Sequence, residues 1–410
     1  MLVTMLARSL CLTFHSPNQR TTQGWEGKNL LRQVFCWLSI LMIQRFNKHS
    51  SWSTGTLEII KQFVPDNILF LEQSDIDLDD LDWQQQLIKI ELLAKQKNFK
   101  KILIDATMNP EILEFSIVER PTRLKIIKDL NQICKTYYVT GDYTYYYIPN
   151  SQVIFFPAFL WTIGSRAVDQ FFKITTTIYD TQLTKTKSIM CLNRNLTWHR
   201  LYLFSLLAEQ SWFDKISYSF LNKIGDRLDA ICIKNFLDEQ EREKIKSLDD
   251  LLPINIKSEL HVDNNKIPIM WMDGASSVNS PEYRDHAINL VTETSLTEGT
   301  ILTEKTCKPF LAYQIPIIIG PVGANKFLQD IGLDMFEDYI PWQTWDNETD
   351  HKLKMQKIVA FLDQLLFGPT AEQDILLMHQ QMHPRLVRNK QRFHSQEFLD
   401  LLTCQLNLIP

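Results

Sequence analysis

The sequence predicts an α/β protein in which two Rossmann-like domains face a cleft, preceded by a poorly ordered N-terminal extension. Three observations lead there. From about residue 56, short apolar runs alternate with amphipathic helical stretches, the pattern of parallel sheets with helical crossovers. The alternation comes in two series, separated near residues 164 to 187 by the Thr- and Lys-rich stretch KITTTIYDTQLTKTK. Finally, 410 residues exceed what one ordinary core accommodates, so two domains are expected.

The first series, residues 56–175, has strand candidates at Asn67 to Leu71, Lys101 to Ile104, Thr136 to Val139 and Val153 to Phe156. Helices are expected at Gln84 to Ala94 and Thr122 to Cys134, the latter with Leu124, Ile126, Ile127, Leu130 and Ile133 at helical spacing. The second series, residues 187–366, offers strands at 188–192, 215–221, 267–272, 286–291 and 315–319. Its helices are predicted at 198–209, 304–313, 325–331 and 350–366. The last carries Met355, Ile358, Val359, Leu362, Leu365 and Leu366 on one face. Residues 370–410 read as a helical segment interrupted by Pro384, which crosses back toward the first domain.

Residues 1–50 hold six Lys/Arg and one acid, which leaves a net −10 on the remaining chain within the overall −5. That balance speaks against a nucleic-acid footprint, and none is expected as a partner. The apolar run VFCWLSILMI at 34–43 is short for a membrane span, which needs roughly twenty residues. The segment is read as an extension lacking order, against a helix packed on the body or a membrane anchor as alternatives, with Met42 as a second possible start. Seven cysteines, none in a CxxC pair, fit reduced thiols and a cytoplasmic location, with Cys191 and Cys307 as packing residues.

Chemistry concentrates in VTETSLTEGTILTEKTCKPFLAYQIPIIIGPVG, residues 291–323. A polar loop leads to Thr303 as N-cap, a helix starting at Glu304, and an apolar strand closed by Gly320-Pro321. A helix start offers free N–H groups and the positive end of the dipole. Glu304 and Lys305 placed there suit a ribose and a phosphate. An ordinary first-turn acid with a Glu304–Lys308 pair is the plainer reading.

The block resembles the donor-binding signature of the α-1,3-fucosyltransferase family, a Glu-Asn-Ser/Thr element followed by aromatic-hydrophobic-Thr-Glu-Lys, a helix and a strand ending in Gly-Pro. Glu293-Thr294-Ser295, Leu302-Thr303-Glu304-Lys305 and Ile315-Pro316-Ile317-Ile318-Ile319-Gly320-Pro321 take those places. Thr294 stands where the family has Asn, and Ile301 where it has a base-contacting aromatic. The resemblance implies the glycosyltransferase B arrangement (GT-B-like), a nucleoside-diphosphate sugar donor such as GDP-fucose, and a glycan acceptor. It implies donor contacts at Glu293, Thr303, Glu304, Lys305, Lys308 and Gly320. It also implies an arginine on the pyrophosphate after the corresponding strand, for which Arg194 is the first choice and Arg200 the second; a planar guanidinium fork suits that group. No cofactor and no metal are expected. The two departures leave open a non-catalytic nucleotide- or carbohydrate-binding protein derived from the same fold.

A transferase of this kind also needs a base for the acceptor hydroxyl. Asp105 and Asp142 follow predicted strands of the first half, and Glu119 is a third candidate, each with a loop or turn role as the alternative. Two patterns are set aside. Asp75, Asp77 and Asp79 open like a calcium loop but lack its Gly and Glu, and His379 and His383 lack the Glu of a zinc-protease motif, so a surface helix is expected there.

Overall fold

The computed structural model describes residues 43–45, 68–72, 80–106, 128–141, 147, 153–158, 160–161, 165, 183–193, 197–220, 236–252, 281–294, 296 and 302–406. The expected strand at 267–272, the start of the helix at 122–134, and Glu119, Asp142, Arg194 and Ile301 lie outside the described residues.

Two parallel sheets organise the chain. The first contains β1 (Ile43–Arg45), β2 (Ile68–Glu72), β3 (Lys101–Ala106), β4 (Lys135–Thr140) and β5 (Val153–Phe155), in that spatial order. β1 falls inside the segment expected to be an extension and pairs with β2 from Ile43 opposite Ile68. Side chains alternate across the sheet as strand geometry requires. Leu69, Leu71, Ile102, Ile104 and Tyr138 pack with Ile90 and Ala94 of α1 (Asp80–Lys97) and with Leu130. Ile68, Phe70, Leu103, Tyr137 and Val139 belong instead to the large core shared with the second half of the chain. Among the described residues the strands run in sequence order without the reversal of a doubly wound half. Right-handed crossovers that all step the same way leave their helices on one face, which is where α1 and Leu130 are found.

The second sheet has the order β7-β6-β8-β9, formed by β6 (Lys187–Asn193), β7 (Ile216–Phe220), β8 (His286–Thr292) and β9 (Ile315–Ile319). Its chain path does reverse: β6 lies between β7 and β8, so the crevice outside the carboxyl ends of β6 and β8 is a topological switch point. Every residue of β8 and β9 is buried, and IPIII is the continuous apolar run of a strand covered on both faces. Pro316 is tolerated because β9 is the edge strand of the described sheet.

Among the described residues the helices of this half are α2 (Trp198–Leu207), α3 (Glu239–Ser247), α4 (Pro281–Asp285), α5 (Glu304–Leu311), α6 (Ala324–Asp330), α7 (Gln343–Asp346) and α8 (His351–Leu365). The terminal segment forms α9 (Ala371–Gln381), α10 (His383–Phe393) and α11 (Gln396–Thr403), with Pro384 accommodated in the first turn of α10. α11 is followed by Gln405, whose side-chain oxygen accepts from the Phe155 amide of β5 at 2.9 Å. The Phe155 ring meets Phe327 of α6 edge-on at 5.6 Å, and Tyr147 donates to Asp330 at 2.7 Å. These contacts tie the end of the first sheet to the second half.

His379 departs from the surface position expected for it. It is fully buried and bonds the Tyr313 carbonyl through Nε2 at 2.8 Å, while His383 lies edge-on to it in the next helix. The helix is interrupted at Met382, between α9 and α10, so the two histidines do not share one continuous helix. Burial holds the His379 imidazole down to about 4, and the nearby Lys185 ammonium acts in the same direction.

Candidate functional site

Glu293 directly follows β8 and is completely buried. Its carboxylate accepts from the Thr303 amide at 3.0 Å, the Thr303 hydroxyl at 2.7 Å, the Thr294 amide at 3.2 Å and the Thr306 hydroxyl. In an ordinary capping box the third helical residue is an acid that reaches back to the N-cap amide. Here that residue is Thr306, and Glu293 supplies the acid from the neighbouring strand end. The buried carboxylate therefore fixes the start of α5 to the carboxyl end of β8. Thr303 is the N-cap, and its hydroxyl also accepts from the Lys305 amide at 3.4 Å.

Glu304 and Lys305 sit on the first turn of this anchored helix. The Lys305 ammonium donates to Glu304 at 2.8 Å, Thr294 at 3.3 Å and Thr303 at 3.4 Å. The Glu304 side chain is 17% exposed and that of Lys305 31%, so both reach the surface at the switch point. Burial pushes the Glu304 carboxyl up, but the ammonium groups of Lys305 and Lys308 outweigh it and hold the group below its ordinary value. Lys308, one turn further on, is buried with its ammonium 5.3 Å from the centre of the Tyr283 ring. Burial lowers its pKa against the pull of Glu304.

The opposite wall comes from α2. Thr197 occupies its N-cap position, yet its hydroxyl meets His199 Nε2 at 3.3 Å rather than capping the helix. His199 Nε2 lies 2.9 Å from the Glu293 carbonyl, which makes it the protonated nitrogen of a neutral ring. Burial, reinforced by Arg200, holds this imidazole down to about 3. Arg200 is buried as well, and its guanidinium donates to the carbonyls of Thr292 at 3.2 Å and Glu293 at 3.4 Å. Arg200 thus faces the strand end and braces α2 against β8. The Thr292 hydroxyl meets Asn193 Oδ1, whose amide reaches Tyr218 at 3.1 Å.

Gly320 ends β9. Its carbonyl accepts from the buried Lys354 ammonium at 3.1 Å, and a Cβ there would lie 3.1 Å from that of Ala324. The close passage of the strand end over the start of α6 explains the glycine.

The structure therefore brings Glu293, Thr303, Glu304, Lys305, Lys308 and Arg200 together at the switch point, with Gly320 alongside. Asp105 is the fifth residue of β3, in the first sheet, and pairs in register with Val139. Three participants had no mark in the sequence reading. Thr306 and His199 bond Glu293 across intervals of 13 and 94 residues, and Tyr283 packs against Lys308. A Thr three residues after the N-cap was the single local clue, and it pointed to nothing without its distant acid. Cys191 and Cys307 are buried, as packing residues should be. Among the described residues no three His, Cys, Asp or Glu gather as a metal site, and no helix is long and apolar enough to cross a membrane.

No protein-family model and no curated protein sequence matches this chain. Among solved structures it is similar to a crystal structure of a glycosyltransferase from Rickettsia africae ESF-5, with 10% identity over 89% of this chain and 97% of that chain and a TM-score of 0.35. A likeness that distant decides nothing about the chemistry here, which has to be read from the residues at the switch point.

Proposed function

We propose that the protein is a cytoplasmic glycosyltransferase that moves a sugar from a nucleoside-diphosphate sugar to a glycan hydroxyl, without a metal ion or other cofactor. The observation that carries this reading is the Glu304–Lys305 pair on a helix start clamped to the switch point by Glu293. Open α/β sheets collect ligands at that place, and a helix N-terminus favours anions. The resemblance to α-1,3-fucosyltransferases supplies the donor class, with GDP-fucose as the first candidate, and a GT-B-like pair of domains.

In this reading the ionised Glu304 accepts from the ribose hydroxyls, and Lys305 neutralises the diphosphate together with Arg194. The acceptor oxygen attacks the anomeric carbon, the bond from that carbon to the phosphate oxygen breaks, and the nucleoside diphosphate leaves with the bonding pair. The acceptor proton passes to a carboxylate of the first half, for which Asp105, Asp142 and Glu119 are the candidates. Charge develops on the leaving phosphate, where Lys305 and the dipole of α5 stabilise it. Lys308 and Arg200 take supporting parts: Lys308 keeps Glu304 ionised, and Arg200 holds α2 against the strand bearing Glu293.

Thr294 and Ile301, where the family has Asn and an aromatic, favour a second reading, a binding protein that keeps the pocket without turnover. Release of nucleoside diphosphate from a sugar nucleotide in the presence of glycan acceptors separates the two. Acceptor-dependent release that Glu304→Gln reduces supports the transferase. Binding with no release supports the binding protein.

A further inference from the structure

Glu304 and Lys308 lie one turn apart on the same face of α5. Long helical side chains lean toward the N-terminus of their helix, so the Lys308 ammonium is carried back toward the turn that bears Glu304. The ring of Tyr283, from α4, lies against that ammonium, with 5.3 Å between the nitrogen and the ring centre. Tyr283 therefore flanks the helix start on which the donor site is built.

Tyr283 is 8% exposed, yet its hydroxyl makes no hydrogen bond among the described residues and is not sealed from solvent. Buried polar groups ordinarily have a partner, and a phenol supplies both a donor and an acceptor. The phenol oxygen feels the charge of Glu304 most strongly and that of Lys305 next, ahead of Glu282, its neighbour in the chain. The hydroxyl is thus turned toward the start of α5. Burial, with the Glu304 carboxylate acting in the same direction, pushes the phenol above its ordinary value and keeps it a protonated donor at neutral pH.

An ionised carboxylate only accepts hydrogen bonds, so a ribose hydroxyl that donates to Glu304 keeps lone pairs that need a donor. We propose that the Tyr283 hydroxyl is that donor, holding one ribose hydroxyl of the nucleotide between itself and Glu304. The proposal rests on the donor-site reading above.

Calorimetric titration of the full chain with GDP, UDP and ADP, then with the 2′-deoxy and 3′-deoxy forms of the one that binds, for the wild type and Tyr283→Phe, tests it. Tyr283→Phe keeps the ring beside Lys308 and removes only the hydroxyl. It is expected to weaken the ribonucleotide about fivefold, one hydrogen bond, and to match the wild type for the one deoxy form that lacks the bridged hydroxyl. Unchanged ribonucleotide binding in Tyr283→Phe, or an equal loss for the ribonucleotide and both deoxy forms, would overturn the contact and leave the donor site standing. Failure of the wild type to bind any of the three diphosphates would overturn both.

Discussion

Glu293 shows how one buried side chain decides the position of others that stay accessible. Its carboxylate satisfies an amide and a hydroxyl of Thr303 and the hydroxyl of Thr306, and hydrogen bonds to a charged group contribute roughly 1.5–3 kcal/mol each. Glu293→Ala leaves these donors without their acceptor. A loss of about 3 kcal/mol in urea unfolding is expected, and a loss below about 1 kcal/mol would mean that the clamp is dispensable. Gly320→Ala should cost about 1–2 kcal/mol in the same assay, because the added methyl must displace Ala324. Lys308 acts on charge. Lys308→Met removes one of the two ammonium groups that hold Glu304 down, so nucleotide binding should fail at a higher pH than in the wild type. Lys308→Arg should restore the wild-type profile, whereas identical profiles for Met and wild type would remove Lys308 from this role.

Among the elements, those with strong local signatures were legible and those fixed by distant partners were not. β9 and α5 could be placed from IPIII and from Thr303 as N-cap, and α8 from its apolar stripe. α3 was overlooked because only Ile245 is buried in EQEREKIKS, which leaves no apolar stripe to read. Its start is instead secured by a capping box between Asp238 and Glu241, and Glu241 also pairs with Lys352 at 2.6 Å. β1 begins at the last residue of the apolar run at 34–43 and continues into Gln44 and Arg45, and three residues give no period to count. Arg200 was read as a possible phosphate ligand because sequence places it beside the switch point. What it does not reveal is which way a side chain turns, and Arg200 turns toward the Thr292 and Glu293 carbonyls. Arg200→Met is expected to lower stability by about 2–4 kcal/mol through loss of that brace, measured by thermal or urea unfolding. Stability unchanged by the substitution would leave α2 held by packing alone.

For the whole molecule, buried titratable groups set a pH dependence. His199, His286 and His379 are held down to about 3, 4 and 4, in each case first by burial. In the unfolded chain they take up protons near 6.5, so between that pH and about 4 the unfolded state binds more protons. Stability should therefore be present above pH 6.5 and be lost as the pH falls, on the order of 3 kcal/mol for each histidine. Lys185 acts at the other end of the range. Its ammonium donates to the carbonyls of Tyr283, Arg284 and Ala312, and burial lowers it to about 7. The unfolded chain holds that proton up to about 10.5, so this residue makes stability rise with pH above 7. Urea unfolding from pH 4 to pH 9 checks both limbs, and a flat acid limb would show that the three imidazoles are not neutral in the fold.

The central claim is a nucleoside-diphosphate pocket at the switch point of the second sheet. Calorimetric binding of GDP, UDP, ADP and CMP to the purified protein, with Lys305→Ala alongside, tests it most directly. One diphosphate is expected to bind selectively, with a loss of tenfold to about a hundredfold in Lys305→Ala, as removal of a charge-assisted phosphate contact implies. No binding of any nucleotide, or equal binding by wild type and Lys305→Ala, would contradict it and reduce Thr303-Glu304-Lys305 to an ordinary helix start.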